Sequence, residues 1–263
     1  MYNQHPCFDT PPTGHVLWRY MPFANFIKII ETSSLWFAIP AQFEDQWEGR
    51  YPLSHHDEEV MKDLYVSDPP LSHEDRRDFA RGSIEMLEQV YTYTRRRVGI
   101  CCWTAKENES ISFWQRYCGQ DKKMGVAIRT RLGRLIESLR ETTFPVYIGR
   151  IAYLDRDNDI IPSNNLFWSV LWKDNRHVDD EEVRAVIPRQ VVSIDERTYA
   201  LPKTDGDKVR VILPDLIEEV VLSPYSESSL LDEVKKRLSL ADIALKCTRS
   251  TLNDPPPIGS IRR

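Results

Sequence analysis

Asp180, Glu182 and Arg184 alternate along the segment Asp180-Glu181-Glu182-Val183-Arg184. On a β-strand that alternation places the three side chains on one face, with Glu181, Val183 and Ala185 on the other. Two carboxylates beside a guanidinium suit the holding of a ribose, whose hydroxyls donate to carboxylate oxygens. The competing readings are a solvent face with a salt bridge, or a structural arginine–carboxylate pair. A further charge stands at Arg19, between Trp18 and Tyr20 in an otherwise apolar run. A guanidinium buried there needs a carboxylate or a ligand, and its planar fork matches a pyrophosphate or a carboxylate. Anion binding and a buried pair with Glu182 or Asp180 are equal readings. A nuclease strand of the (D/E)xK type has lysine where Arg184 stands, and a guanidinium does not shuttle protons near neutral pH. That reading ranks last.

Aromatic residues supply the remaining candidates. Ser110, Trp114 and Tyr117 fall at i, i+4 and i+7 of the helical pattern ENESISFWQRYCG (107–119), which puts them on one face. Trp103 and Thr104 end the apolar run VGICCWT (98–104), and strand ends often carry ligand-facing side chains. For Trp114 the choice is between a core position and a surface on which a nicotinamide stacks. Glu44, Asp45, Trp47 and Glu48 share one loop; without His or Cys at ligand spacing they read as turn chemistry, and no metal is expected. The adjacent His55 and His56 cannot face one ion and read as surface residues. Arg95–Arg97 and Arg129, Arg131 and Arg134 are basic clusters, either solvated faces or contacts to phosphate or RNA.

These residues need elements to position them. Strands are expected at 16–20, 35–40, 98–104, 124–130, 144–154, 180–188, in RQVVSID and in DLIEEVVLSPYS. Helices are expected in FANFIKIIETSS, in HHDEEVMKDLYV and SHEDRRDFARGSIEMLEQVYTYTRRR around a DPPLS break, in 107–119, in LGRLIESLR, in 164–172 and in SSLLDEVKKRLSLADI. Ser72 followed by Asp75 reads as a helix N-cap. Without strict βαβ alternation the pattern implies an α+β fold, a mixed and mostly antiparallel sheet flanked by helices. Residues 1–15 read as a loose arm, 16–250 as a single domain with 53–98 as a helical insertion, and 251–263 as a flexible tail.

The formal net charge of -5 lacks the basic balance of most nucleic-acid binders. No leader-like segment and no long apolar run appear, so neither secretion nor a membrane partner is expected. No GxGxxG and no P-loop occur. The odd cysteine count and the apolar setting of Cys101 and Cys102 point to free thiols in a reducing, cytoplasmic setting.

The segments LWRYMPFANFIKIIETSSLWFAIPAQFEDQWEG, CCWTAKENESISFWQRYCG, GVAIRT, DDEEVRAV and LIEEVVLSPYS, in that order, resemble the bacterial family catalogued as domain of unknown function 2971, over residues 16–250. That resemblance implies a mobile, defence-like setting. A more distant likeness is to the ADP-ribosyltransferase layout, a basic residue on an early strand, then hydroxyl and aromatic residues, then a late glutamate. It implies NAD as substrate and transfer of ADP-ribose to a macromolecule, protein or nucleic acid, as a toxin or defence effector. Glu182, Arg19 and Asp180 would then be catalytic, and Arg184, Trp114, Tyr117, Ser110 and Trp103 would bind NAD, with Arg19, Glu182 and a wall formed by Trp114 meeting in one cleft. The alternative is a non-catalytic module that binds a nucleotide or a partner. Mass spectrometry of freshly purified protein without reductant is expected to find every cysteine as a free thiol; an intramolecular bridge would contradict this.

Overall fold

The computed structural model describes residues 1–57, 72–162, 164–189, 192–193, 199–200 and 203–255. Most of HHDEEVMKDLYV and of the DPPLS break, much of RQVVSID, and residues 256–263 of the expected tail lie outside the described residues.

Strand β1 (Val16–Pro22) leads into helix Phe23–Thr32, which buries Phe26, Ile29 and Ile30 on its apolar face. Ser33, in the left-handed conformation at φ 45°, ends that helix and turns the chain into β2 (Ser34–Ala38). Helix His73–Arg97 begins at Ser72, whose hydroxyl accepts from the Asp75 N–H at 3.2 Å, as the capping pattern implies. It feeds β3 (Val98–Thr104). Then come helix Ile111–Tyr117, β4 (Gly125–Arg131), helix Leu132–Ser138, β5 (Tyr147–Arg150), β6 (Ala152–Leu154), β7 (Trp172–Asp174) and β8 (Glu182–Pro188). Short β9 (Val192–Ser193) and β10 (Tyr199–Ala200) precede β11 (Gly206–Arg210). Helix Leu213–Leu216, β12 (Glu219–Leu222), helix Ser228–Leu240 and β13 (Lys246–Arg249) complete the order.

The fold is α+β, with a mixed and mostly antiparallel main sheet flanked by helices. Among the described residues that sheet has nine strands. Its longest ladders are antiparallel, β3 with β8 and β1 with β4, while β12 with β13 is parallel. β3 has three neighbours. β8 pairs along its whole length, from Val98 opposite Pro188 to Thr104 opposite Glu182. β2 and β1 therefore share the other edge, β2 through Ala38 opposite Ile100 and β1 through Trp18 opposite Thr104. The sheet forks where β1 and β2 part. One cross-strand row runs Trp18, Thr104, Glu182 at that fork. The main apolar core fills one face of the sheet, with Leu17, Phe37, Trp103, Ile128 and Val183 among its buried members.

Several elements differ from the sequence reading. The arm is docked: Tyr2 bridges Val146, Asp9 bridges Arg150, and Phe8 is buried. Its aromatic residues cover the second face beside Tyr147 and Phe167. The strand expected over 144–154 is two strands separated at Ile151, and the helix expected over 164–172 is a 3-10 turn, Leu166–Val170, running into β7. In 215–226, the strand is confined to β12 after the short helix. His55 is not on the surface. It is fully buried and accepts the Ile161 N–H at Nε2, 3.1 Å away, and burial together with His56 lowers its pKa to about 4. All five cysteines are free.

Gly206 shows how closely β11 packs on β2. A Cβ there would lie 2.3 Å from the Phe37 carbonyl oxygen and 2.7 Å from the Trp36 ring. Backbone cannot step aside as a side-chain end can. Gly206→Ala is expected to lower stability by about 1–3 kcal/mol, read as a fall in the urea midpoint at unchanged m-value.

Candidate active site

The fork opens into a cleft of about 720 Å³. β1 contributes Trp18, Arg19 and Tyr20; β2 contributes Trp36; β3 contributes Cys102, Trp103 and Thr104. Glu182 stands at the start of β8, and Asp180 on the 3-10 turn before it. Helix Ile111–Tyr117 presents Phe113, Arg116 and Tyr117. Because β1 and β2 splay, side chains from both faces of the sheet reach one opening. Arg19 belongs to the face of Leu17 and Met21, whereas Glu182 and Arg184 lie on the face of Cys102 and Thr104.

The acidic side of the cleft is a chain of ion pairs. Arg184 has no exposed surface. Its Nε donates to Glu182 Oε1 at 2.7 Å, its Nη2 to Glu48 Oε1 at 2.8 Å and its Nη1 to the Val170 carbonyl at 2.8 Å. Lys173 Nζ donates to Glu182 Oε2 at 3.3 Å and to Asp180 Oδ2 at 3.2 Å. Asp180 Oδ1 also accepts from Arg116 Nη1 at 2.5 Å, and its backbone carbonyl accepts from the Thr104 hydroxyl at 2.7 Å. Glu48, Glu182 and Asp180 are thus balanced by Arg184, Lys173 and Arg116. Burial pushes the Glu182 carboxyl up, but Arg184 and Lys173 outweigh it and hold the group down at about 2. Burial likewise opposes the charge on Lys173, and Glu182, Glu48 and Asp180 raise its pKa above the ordinary value despite Arg184. The Cys102 thiol, desolvated and beside Glu182, is raised well above the ordinary range and stays protonated.

Arg19 is different. Its Nη1 donates to Cys101 Sγ, its Nη2 to the Trp36 carbonyl at 3.4 Å, and its guanidinium lies 5.8 Å from the centre of the Trp103 ring. Among the described residues no carboxylate pairs with it. Trp36, 42% exposed, stands nearby at the mouth. The cleft therefore offers, on one side, a cation that lies over the Trp103 ring with no carboxylate partner among the described residues, and on the other a charge-balanced carboxylate floor.

The expected site residues divide accordingly. Arg19, Glu182, Asp180, Tyr117 and Trp103 all line the cleft. Asp180 does so from a turn, because Glu181 takes the left-handed conformation at φ 43° and the strand starts only at Glu182. Arg184 does not face the opening, since all three of its donor directions are spent on buried partners. Trp114 is not a cleft wall. It is fully buried and meets Tyr20 edge-on with ring centres 4.8 Å apart. Ser110 also stays out of the lining; its backbone N–H donates to the Tyr20 hydroxyl at 3.2 Å. Helix Ile111–Tyr117 is only seven residues long, and the face it turns to the cleft carries Phe113 and Tyr117 instead. Lys173, Arg116 and Trp36 were not singled out in the sequence. Lys173 follows Trp172 and precedes Asp174 in a short strand, a lone cation whose partners are set by the tertiary fold. The arginine clusters are engaged: Arg129 and Arg131 pair with Glu218, Arg134 donates to Pro214 and Ile217 carbonyls, and Arg95 to the Pro40 carbonyl.

No protein-family model matches the chain, the 2971 family included, and no curated protein matches it. Among solved structures, DarT of Thermus sp. 2.9 in complex with NAD+ is similar at 9% identity and a TM-score of 0.39, over 92% of this chain and 98% of that one. The same protein in complex with ADP-ribosylated ssDNA is 12% identical at a TM-score of 0.38, over 92% and 97%. Neither the fold nor the chemistry of this chain follows from similarity of that degree; both rest on its own geometry. Among the described residues no helix is long and apolar enough to cross a membrane.

A carboxyl whose folded pKa lies below its unfolded one adds stability that is present above the unfolded value and is lost as the pH falls through the folded one. For Glu182 that window runs from its ordinary 4.5 down to about 2. Urea unfolding followed from about pH 6 to about pH 3 is expected to show wild-type stability falling more steeply than that of Glu182→Gln. Arg184→Met, which strands two buried carboxylates, is expected to cost about 3–5 kcal/mol at neutral pH.

Proposed function

We propose that the cleft binds NAD and transfers its ADP-ribose to a macromolecular acceptor. The observation that carries this reading is the placement of Arg19, a cation without a carboxylate partner among the described residues, in the same cleft as Glu182. Arg19, whose guanidinium lies against the Trp103 ring, would receive the pyrophosphate with its planar fork. Glu182 is kept ionised by Arg184 and Lys173. Its charge would stabilise the oxocarbenium-like centre that develops as the C1′–N bond to nicotinamide breaks. The bonding electrons leave with the nicotinamide nitrogen. The acceptor's oxygen or nitrogen then bonds to C1′ and gives up its proton. The acceptor, protein or nucleic acid, would approach over Trp36 and Tyr117 at the mouth.

A second reading has its own observation. Both Glu182 oxygens already accept from Arg184 and Lys173. A site with its carboxylate so occupied also suits a module that binds a nucleotide and does not cleave it. The two readings part on one assay, release of free nicotinamide from NAD by pure protein. Release in wild type and its loss in Glu182→Gln favour the enzyme; tight NAD binding without release favours the module. Glu182→Gln is expected to lose stability as well as turnover, because the amide leaves Arg184 and Lys173 undercompensated. Arg19→Ala breaks no ion pair among the described residues. It is expected to weaken NAD binding about tenfold or more while costing about 1 kcal/mol or less of stability, measured by calorimetric titration beside a thermal melt. No NAD binding and no nicotinamide release in wild type would sink both readings.

A further inference from the structure

An acceptor that bonds to C1′ gives up a proton, and a side chain able to take it must stand in the cleft. Most of the lining is already committed. Glu182 accepts from Arg184 and Lys173, and Asp180 from Arg116 and Lys173. Glu48 is buried against Arg184. Lys173 is itself protonated. Burial pushes the Tyr117 hydroxyl and the Cys102 thiol up, so both keep their protons. Glu44 and Asp45 also line the cleft, but a carboxylate is a weaker base than an imidazole near neutral pH.

His177 is the histidine of that lining. It is half-buried, and its ring nitrogens meet no hydrogen-bond partner among the described residues and keep access to solvent. The turn that carries it, Asn175–Asp180, is pinned at both ends. Asp174 Oδ1 accepts the Arg176 N–H at 3.0 Å and Arg176 Nε at 2.8 Å, and the Val178 carbonyl accepts the Glu181 N–H at 3.2 Å. Lys173, just before the turn, and Asp180, at its end, meet at 3.2 Å. Arg116 joins Asp180 to helix Ile111–Tyr117, so the turn borders the cleft on the side of Tyr117, where the acceptor would approach.

We propose that His177 is the general base for the acceptor. The assignment rests on the NAD reading of the cleft and adds the proton's route to it. The acceptor's lone pair forms the bond to C1′, the electrons of its O–H or N–H bond stay on that atom, and the proton passes to a ring nitrogen of His177. The imidazolium then returns it to water at the opening. Histidine is the side chain type that changes charge between about pH 5 and pH 8, which suits both halves of that exchange. Glu182 serves the departing nicotinamide and His177 the arriving acceptor.

Water is the simplest acceptor, and azide, an anion at neutral pH, is a nucleophile with no proton to lose. Pure protein turning over NAD in the presence of azide yields ADP-ribose and ADP-ribosyl azide, resolved by chromatography with mass detection. Both products arise from the same cleavage, so their ratio reports the capture step alone. His177→Gln is expected to raise the ratio of azide product to water product about tenfold or more over wild type, because only the capture of water loses its base. A thermal melt establishes that the variant is folded. Should His177→Gln fail to fold, His177→Asn is read in the same way, with the same rise expected. An unchanged ratio, whether or not both products fall together, would overturn the assignment and leave the NAD reading standing. Wild type that releases no nicotinamide would remove the transfer reading, and this assignment with it.

Discussion

A guanidinium with no exposed surface must be neutralised by the chain around it, and Arg184 draws three separate segments together to that end. Glu48 comes from the loop after β2, Glu182 from its own strand, and the Val170 carbonyl from the turn before β7. Each partner satisfies one direction of the planar fork, so the three segments are set in angle as well as in distance. Lys173 and Asp180 extend the same network outward to Arg116 on helix Ile111–Tyr117. Removing water from the buried charges of this network is expensive, and their mutual attraction offsets the cost only while every partner is in place. The floor of the cleft is therefore a cooperative unit rather than a set of independent pairs.

The opening above that floor comes from strand pairing. β1 and β2 cannot both run along the same edge of β3, and they divide it at Ile100 and Thr104. Past the point of division, backbone that would be covered in a continuous sheet becomes a wall lined by Trp18, Arg19 and Trp36. Helix Phe23–Thr32 links the two strands and packs into the main core, holding them apart. The fork lets residues from both faces of the sheet line one opening. That is how Arg19 and Glu182 share a cleft without forming an ion pair.

Fixed charges in a site shielded from bulk water act without reorganising at the moment of reaction. The carboxylate floor meets that condition, since Glu182, Glu48 and Asp180 are buried and paired with cations before any ligand arrives. Arg19 supplies the complementary element, a cation held by sulfur, carbonyl and indole contacts that an anionic group can outcompete. Glu48 differs from Glu182 and Asp180 in having one buried oxygen that meets no donor among the described residues.

Much of the architecture was legible from local pattern. The apolar spacing of Phe26 and Ile30, the Ser72–Asp75 cap and the apolar runs of β3 and β4 each set their element through interactions a few residues apart. Polarity alone also marked Arg19 and Glu182, because a charge inside a core-like strand needs a reason wherever it lies. Partner choice was not legible in the same way. Strand alternation put Arg184 beside Glu182 but could not reveal that Glu48 and Val170 would close around it and take it out of the cleft. Helical spacing grouped Ser110, Trp114 and Tyr117, yet packing against Tyr20 buried Trp114, while Tyr117 stayed at the opening. Lys173 has no local signature, and Glu48 read only as turn chemistry in an acidic loop, since their pairing depends on residues far away in the chain. The sequence by itself determined which segments are strands and helices and which charges require partners, because hydrophobic periodicity and desolvation act within a segment. Tertiary structure alone decided which charges neutralise one another and which are left to meet a ligand, because that depends on where the sheet forks and which loops fold over it.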